Sequence, residues 1–165
     1  MLESRTLEFK EKLTNTFLKT VSAYANYGTG RILFGVNDQG ETVGVKDLRE
    51  DCLRIENAIN DTLDPIPDFN LAVNEADQTI ELTVYKGQDT PYYYQGHAYR
   101  RTDTSTVKVD RLALNRLVRE GLNLTFDALE SNNQALTFAY LGKEFEEKLN
   151  VTTVDRNSLI SLELM

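Results

Sequence analysis

Residues 20–45 read T-V-S-A-Y-A-N-Y-G-T-G-R-I-L-F-G-V-N-D-Q-G-E-T-V-G-V, and the way this stretch divides decides the fold. A helix closes on Asn26 and two glycines. Gly28 and Gly30 suit a chain leaving a helix through left-handed backbone geometry. Ile32, Leu33, Phe34 and Val36 form an apolar run of strand length, typical of a strand buried on both faces. The turn Asn37-Asp38-Gln39-Gly40 then reverses the chain into a second short strand, Thr42–Val45.

Upstream, Thr6-Leu7-Glu8-Phe9-Lys10 alternates as a half-buried strand does. That pattern predicts Leu7 and Phe9 toward the core, with Glu8 and Lys10 on the opposite face. Leu13, Phe17, Val21 and Tyr24/Ala25 recur at helical spacing and predict a helix over 12–26. Downstream, Leu48, Cys52, Ile55, Ile59 and Leu63 step by four, three, four and four. They mark an amphipathic helix over 47–63, opened by Asp47 with capping-box spacing to Glu50 and ended by Pro65 and Pro67. Cys52 lies on its apolar stripe and reads as a small core residue.

Residues 69–74 and 79–85 read as paired strands, the second with Ile80, Leu82 and Val84 on one face. Pro91–Tyr94 and His97–Arg101 form a hairpin turning at Gln95-Gly96, and His97 beside that turn reads as a surface residue. Asp110 caps a helix carrying Leu114, Leu117 and Val118, closed by Gly121. The fold expected is α+β: a small mixed β-sheet flanked by helices over residues 1–120, then a helical extension over 121–165. Phe138, Leu141, Phe145 and Leu149 predict one helix there, and Asp155 caps another. That last pattern stops at Met165 without a polar tail, which predicts a further C-terminal domain beyond this sequence.

Composition narrows the function. The 165 residues suffice for one domain with a real core. No run approaches the ~20 apolar residues of a membrane span, and the N-terminus lacks the apolar region of a secretion signal. One cysteine and one histidine cannot build a disulfide or a Cys/His zinc site, which fits a cytoplasmic protein without zinc. The net charge of −8 argues against casual nucleic-acid binding. Yet residues 96–120 hold six Lys/Arg against three Asp/Glu, a local basic segment that can meet phosphate. The glycines at 28–30 are no P-loop: no G-K-[S/T] follows, and they precede a strand rather than a helix N-terminus.

Several spaced blocks agree with one family. They are Glu3, Glu8-Phe9-Lys10, Ser22-Ala23, Ala25-Asn26, Gly30, Gly35-Val36 and Asp38, then Pro91-Tyr92-Tyr93, Ala98-Tyr99-Arg100-Arg101 and Ser105-Thr106. Over roughly residues 1–110 the chain resembles the Schlafen AlbA domain, a family of nucleic-acid-binding modules found in bacterial transcriptional regulators. The resemblance implies a DNA- or RNA-binding module. Tyr92 and Tyr94 would stack on bases, and Arg100, Arg101, Lys108 and Arg111 would pair with phosphates. Alternation lets only about half of the residues in such a hairpin point outward, so Tyr93 and Tyr99 packing in the core, with the arginines in solvent, is the competing reading.

Catalytic Schlafen relatives carry two glutamates five residues apart and an aspartate after the G-V strand, forming a metal-dependent RNase site. Glu3, Glu8 and Asp38 match that set. The resemblance therefore implies that they converge to bind Mg²⁺ or Mn²⁺, with Lys10 balancing charge at a scissile phosphate. Asn37 departs from the family, where a second aspartate is common. A third reading is an oligomerisation module. Vertebrate Schlafen cores hold two pseudo-repeats of this unit, so a single copy implies a homodimer to complete a cleft.

Overall fold

Helix α1, Phe17–Tyr27, is buried over nine of its eleven residues, which makes it the centre of the fold rather than a surface element. The computed structural model describes residues 2–124. Around α1 run β1 (Leu7–Lys10), β2 (Gly30–Phe34), α2 (Leu48–Thr62), β3 (Leu63–Asp64), β4 (Phe69–Asn74), β5 (Thr79–Val84), β6 (Tyr93–Tyr94), β7 (His97–Arg101), β8 (Thr106–Lys108) and α3 (Arg111–Gly121). The helical extension expected over 121–165, with its helices near 138–149 and after Asp155, lies outside the described residues apart from its first four positions.

The class is α+β, but the strands divide between two small sheets instead of forming one. The first has order β1-β2-β5-β4, the second β3-β6-β7-β8. Strands β1 and β2 are parallel, joined through α1, and the other pairs are antiparallel. The short strands β3 and β8 carry no alternation long enough to read from sequence.

The main core joins Phe17, Leu18, Val21 and Tyr24 of α1 to Ile32 and Phe34 of β2, Ile80, Leu82 and Val84 of β5, Ile55 and Ile59 of α2, and Tyr92, Tyr94 and Tyr99. Phe17 meets Phe34 edge to face at 5.3 Å between ring centroids. The β5 alternation and the α2 stripe are as expected. Asp47 caps α2 by accepting from the N–H groups of Arg49 and Glu50 at 3.0 and 2.9 Å. Burial pushes the half-buried Cys52 thiol up, with Asp51 and Glu56 adding to it, so it behaves as a core residue rather than a nucleophile.

Three expectations are corrected. Helix α1 starts at Phe17, not residue 12. The carbonyls of Thr14, Asn15 and Thr16 accept from Phe17, Leu18 and Lys19 in i→i+3 turns, and the Thr14 and Thr16 hydroxyls bond each other at 2.8 Å. Leu13 still packs on the core, which is why its spacing mimics a helix. The second strand of the Gly40 turn is reduced to one bridge, Val36 to Thr42. Gly35 and Gly44 take positive φ, and the Gly35 carbonyl accepts from both Val43 and Gly44, so the ladder cannot continue.

The third correction concerns β1. Its parallel register sets Glu8 beside Ile32 and Phe9 beside Leu33. Since Ile32 belongs to the main core, Glu8 faces α1, while Leu7 and Phe9 form a separate apolar cluster with Val36 and Leu33 on the other side of the sheet. The alternation holds, with its direction inverted.

Gly30 is required by α1. A Cβ there would lie 2.4 Å from Cε1 of Tyr24, a ring that is 2% exposed. Gly30→Ala is expected to lower stability by about 1–3 kcal/mol through overpacking. An unchanged urea midpoint would mean that the Tyr24 ring can shift at little cost.

Candidate functional site

The expected carboxylate cluster is replaced by a buried charge network. Glu8 is 5% exposed, and so is Arg101. Lys10 Nζ lies 2.6 Å from Glu8 Oε1. Arg101 Nη1 pairs with Glu8 Oε2, and the Thr20 hydroxyl donates to the same oxygen at 2.6 Å. Thr106 Oγ1 sits 2.9 Å from Thr20 Oγ1 and accepts from Arg101 Nη1 at 3.2 Å. Arg101 Nε donates to the Ser4 carbonyl at 3.2 Å. The Glu8 carboxylate thus ties β1 to α1 and β7, and Thr106 brings in β8, so the network joins both sheets. Buried ions persist when paired and hydrogen-bonded in this manner.

Glu3 is close to this network but engaged elsewhere, its Oε1 accepting from the Phe9 N–H at 2.8 Å. Asp38 is exposed in the turn after Val36. The turn itself is built by Asn37, whose Oδ1 accepts from Gln39 and Glu41 N–H at 3.1 and 2.9 Å and whose Nδ2 donates to Glu41. At the position where relatives often carry aspartate, this chain uses an amide for turn geometry.

Among the described residues, no three His, Cys, Asp or Glu side chains are grouped to hold a metal ion. Glu3, Glu8 and Asp38 therefore do not form the expected three-carboxylate arrangement. The Glu8 oxygens already face two cations and a hydroxyl, a set that suits an ion pair. A divalent ion would have to displace Lys10 or Arg101 to reach them, so the residues present do not fit Mg²⁺ or Mn²⁺ as they stand.

The aromatic-basic block is also redistributed. Tyr92 and Tyr94 are 4% and 5% exposed, so neither can stack on a base; both join the core, as does Tyr99. Arg101 is buried and paired with Glu8 through Nη1. Arg100, Lys108 and Arg111 are exposed. Gln95 and Gly96 both take positive φ, the two-residue hairpin turn expected from sequence. His97 is exposed, its Nδ1 2.8 Å from the Gln95 carbonyl. Asp110 caps α3 by accepting from the Ala113 N–H at 2.8 Å. That bond holds its carboxyl below the ordinary value, and Arg100 contributes in the same direction.

One residue absent from the expectations stands out: Tyr27, the last residue of α1, 40% exposed. Burial of part of its ring raises its pKa, and it lies in the fields of Arg100 and Arg116 as well as of Glu120 and Asp110. Arg116 is exposed on α3. Tyr27 also borders a cleft of about 120 Å³ with Arg5, Thr6, Ala23, Tyr24, Gly28 and Arg101. The sequence signal is weak: an aromatic three residues beyond Tyr24, just before the glycine turn, at the edge of the apolar stripe.

Comparison with known proteins places this geometry. No curated protein matches the sequence. In solved structures the chain is similar to the DIP2311 protein of Corynebacterium diphtheriae, with 17% identity and a TM-score of 0.52 over 94% of this chain. It spans about a third, 32%, of that protein's length, and the likeness is one of fold. It is also similar to the N-terminal domain of a RecG-related protein from Nitrosomonas europaea, with 25% identity, a TM-score of 0.40, and coverage of 66% of this chain and 84% of that one. The pattern of the Schlafen AlbA_2 family matches residues 3–110. That span takes in β1 through β8, with the buried Glu8–Arg101 network and the turn at Asn37-Asp38, and the chain belongs to the Schlafen AlbA_2 family.

Proposed function

We propose that this domain binds nucleic acid, as the contacting module of a transcriptional regulator. The observation that carries the reading is Tyr27, an exposed aromatic ring held at the end of a buried helix in the fields of Arg100 and Arg116. A ring so placed can stack on an unpaired base while the guanidinium groups meet the flanking phosphates. Exposed Lys108 and Arg111 extend the basic surface from β8 into α3. The acidic remainder of the chain limits binding to this face. Glu120 and the α3-capping Asp110 are the carboxylates that oppose a phosphate near Tyr27.

Fluorescence anisotropy with labelled single-stranded DNA, single-stranded RNA and duplex DNA tests the reading. Binding is expected to weaken steeply with salt as counterions are released. Arg100→Ala combined with Arg116→Ala is expected to reduce the salt slope by about 2. Tyr27→Ala should cost about 1–3 kcal/mol on single strands and less on duplex, where bases stay stacked on each other. No salt-sensitive binding at micromolar protein to any of the three probes would overturn the proposal.

A further inference from the structure

Arg101 leaves one nitrogen without a partner. Its Nε reaches the Ser4 carbonyl, and its Nη1 serves Glu8 and Thr106. Nη2 is buried and, among the described residues, is the one side-chain nitrogen or oxygen so buried that has no hydrogen-bond partner. A guanidinium nitrogen is a pure donor, and leaving a buried donor unpaired is costly. Arg101 lines the cleft it shares with Arg5, Thr6, Tyr24, Tyr27 and Gly28. The described residues supply Nη2 with no acceptor, and the cleft is the space beside Arg101 from which one can come once the exposed Arg5 or Tyr27 side chain moves.

The cleft has the chemistry of an anion site. Two of its lining residues are arginines, and none is acidic. The charges near it are Glu8, which is paired with Lys10 and Arg101, Glu3, which is bound to the Phe9 N–H, and, beyond Tyr27, Arg100 and Arg116 with Glu120 and Asp110. Counting Arg5, Lys10, Arg100, Arg101 and Arg116 against Glu3, Glu8, Asp110 and Glu120, the neighbourhood keeps an excess of one positive charge. Its size is selective too. The 120 Å³ lies well below the ~300 Å³ at which pockets for larger ligands begin. That suits a single phosphoryl group and not a nucleoside. Arg5 and Tyr27 are exposed at its edge, so they can move to admit a ligand while Arg101 stays fixed.

We infer that the Arg5–Arg101 cleft binds one phosphoryl group, which in a bound nucleic-acid strand is a phosphate beside the base stacked on Tyr27. The inference rests on the nucleic-acid reading for its ligand's source, not for its chemistry. A fixed guanidinium with one free donor is preorganised for a phosphate oxygen, and a mobile second arginine can close over it.

The test uses the full chain and inorganic phosphate as the probe, followed by ¹⁵N NMR of the arginine side chains. Saturable shifts of Arg101 are expected on phosphate addition and not on equal chloride. Arg5→Ala should weaken phosphate binding roughly tenfold, and Arg5→Glu should abolish it, both with an unchanged urea midpoint because Arg5 is exposed. Addition of phosphate should also displace a single-stranded oligonucleotide more effectively than equal chloride at the same ionic strength. Absence of saturable Arg101 shifts, or shifts that survive Arg5→Glu, would overturn the site whether or not the domain binds nucleic acid. Saturable phosphate binding without any oligonucleotide binding would uphold the site and overturn the nucleic-acid reading, leaving a free phosphoryl ligand as its occupant.

Discussion

Glu8→Ala is expected to destabilise the domain by about 3–5 kcal/mol, the cost of leaving a buried ion without its partner. Glu8 accepts from Thr20 and pairs with both Lys10 and Arg101, and its removal strands a guanidinium that is 5% exposed. Lys10 would suffer less, because it is half-buried and can turn to water. The reverse change should be milder. Arg101→Met leaves Glu8 with Lys10 and Thr20, and the Ser4 carbonyl keeps the Leu7 N–H, so about 2–3 kcal/mol is expected, mainly from the weakened pairing of Glu8. The double variant should cost less than the sum of the two, with a coupling of about 1–3 kcal/mol. Urea denaturation of the four proteins completes the cycle. A Glu8→Ala loss below about 1 kcal/mol, or simple additivity, would mean that the pair does not hold the sheets together. The result also governs how activity is tested in this family. Loss of any function in Glu8→Ala would here report lost structure first, so it cannot assign a catalytic role to that carboxylate.

Much of the fold can be read from local pattern. The α2 stripe, its Asp47 cap, the β4–β5 pair and the Gln95-Gly96 hairpin each rest on interactions within about fifteen residues, and sequence periodicity reports those directly. The β1 strand shows where that information stops. Alternation separates Leu7 and Phe9 from Glu8 and Lys10, but only its register with β2 says which set faces α1. The usual rule sends the apolar pair inward. Here a second, smaller core takes Leu7 and Phe9, and the main body accepts a carboxylate because Arg101, 93 residues away in sequence, neutralises it.

The candidate site is less legible for the same reason. Glu8, Thr20, Arg101 and Thr106 form one network from four separate elements, and nothing in their spacing announces it. The matching blocks mark Glu8, Arg101 and Thr106 as belonging together without saying how. Reading Arg101 only as a phosphate contact and Glu8 only as a metal ligand misses the ion pair that joins them. Alternation puts Tyr92 and Tyr94 on one face across Tyr93 without saying which way that face turns, and it turns to the core. Tyr27 is hidden in the sequence because it ends a helix whose other residues are almost all buried, and exposure at a helix end depends on what packs nearby.

Asn26→Ala is expected to cost about 2–4 kcal/mol, although Asn26 carries no charge. Its side-chain amide pairs with the backbone of Tyr92 on both sides: Nδ2 donates to the Tyr92 carbonyl at 2.9 Å, and Oδ1 accepts the Tyr92 N–H at 2.7 Å. The amide thus acts as one rung of a ladder between α1 and the segment entering β6. All of these groups are buried, so alanine leaves the Tyr92 N–H without a partner, at about 1–3 kcal/mol, and removes a hydrogen bond and volume besides. Ser22→Ala makes the comparison. The Ser22 hydroxyl also donates to the Tyr92 carbonyl, at 2.7 Å, which keeps Asn26, and it accepts the buried Tyr99 N–H over a longer 3.3 Å, so a smaller loss of about 1–2 kcal/mol is expected. If thermal or urea unfolding ranks Ser22→Ala as the more damaging change, the two-sided amide rung is not what anchors α1. The rung also bears on function, because Tyr27 follows Asn26 directly. Loosening Asn26 frees the end of α1, so binding to single strands should fall in Asn26→Ala under conditions where the variant remains folded, while the exposed Arg100, Lys108 and Arg111 keep their sequence positions and charge. A variant that stays folded with full single-strand affinity would separate the Tyr27 ring from the helix end that positions it, and would move the stacking role elsewhere on the basic face.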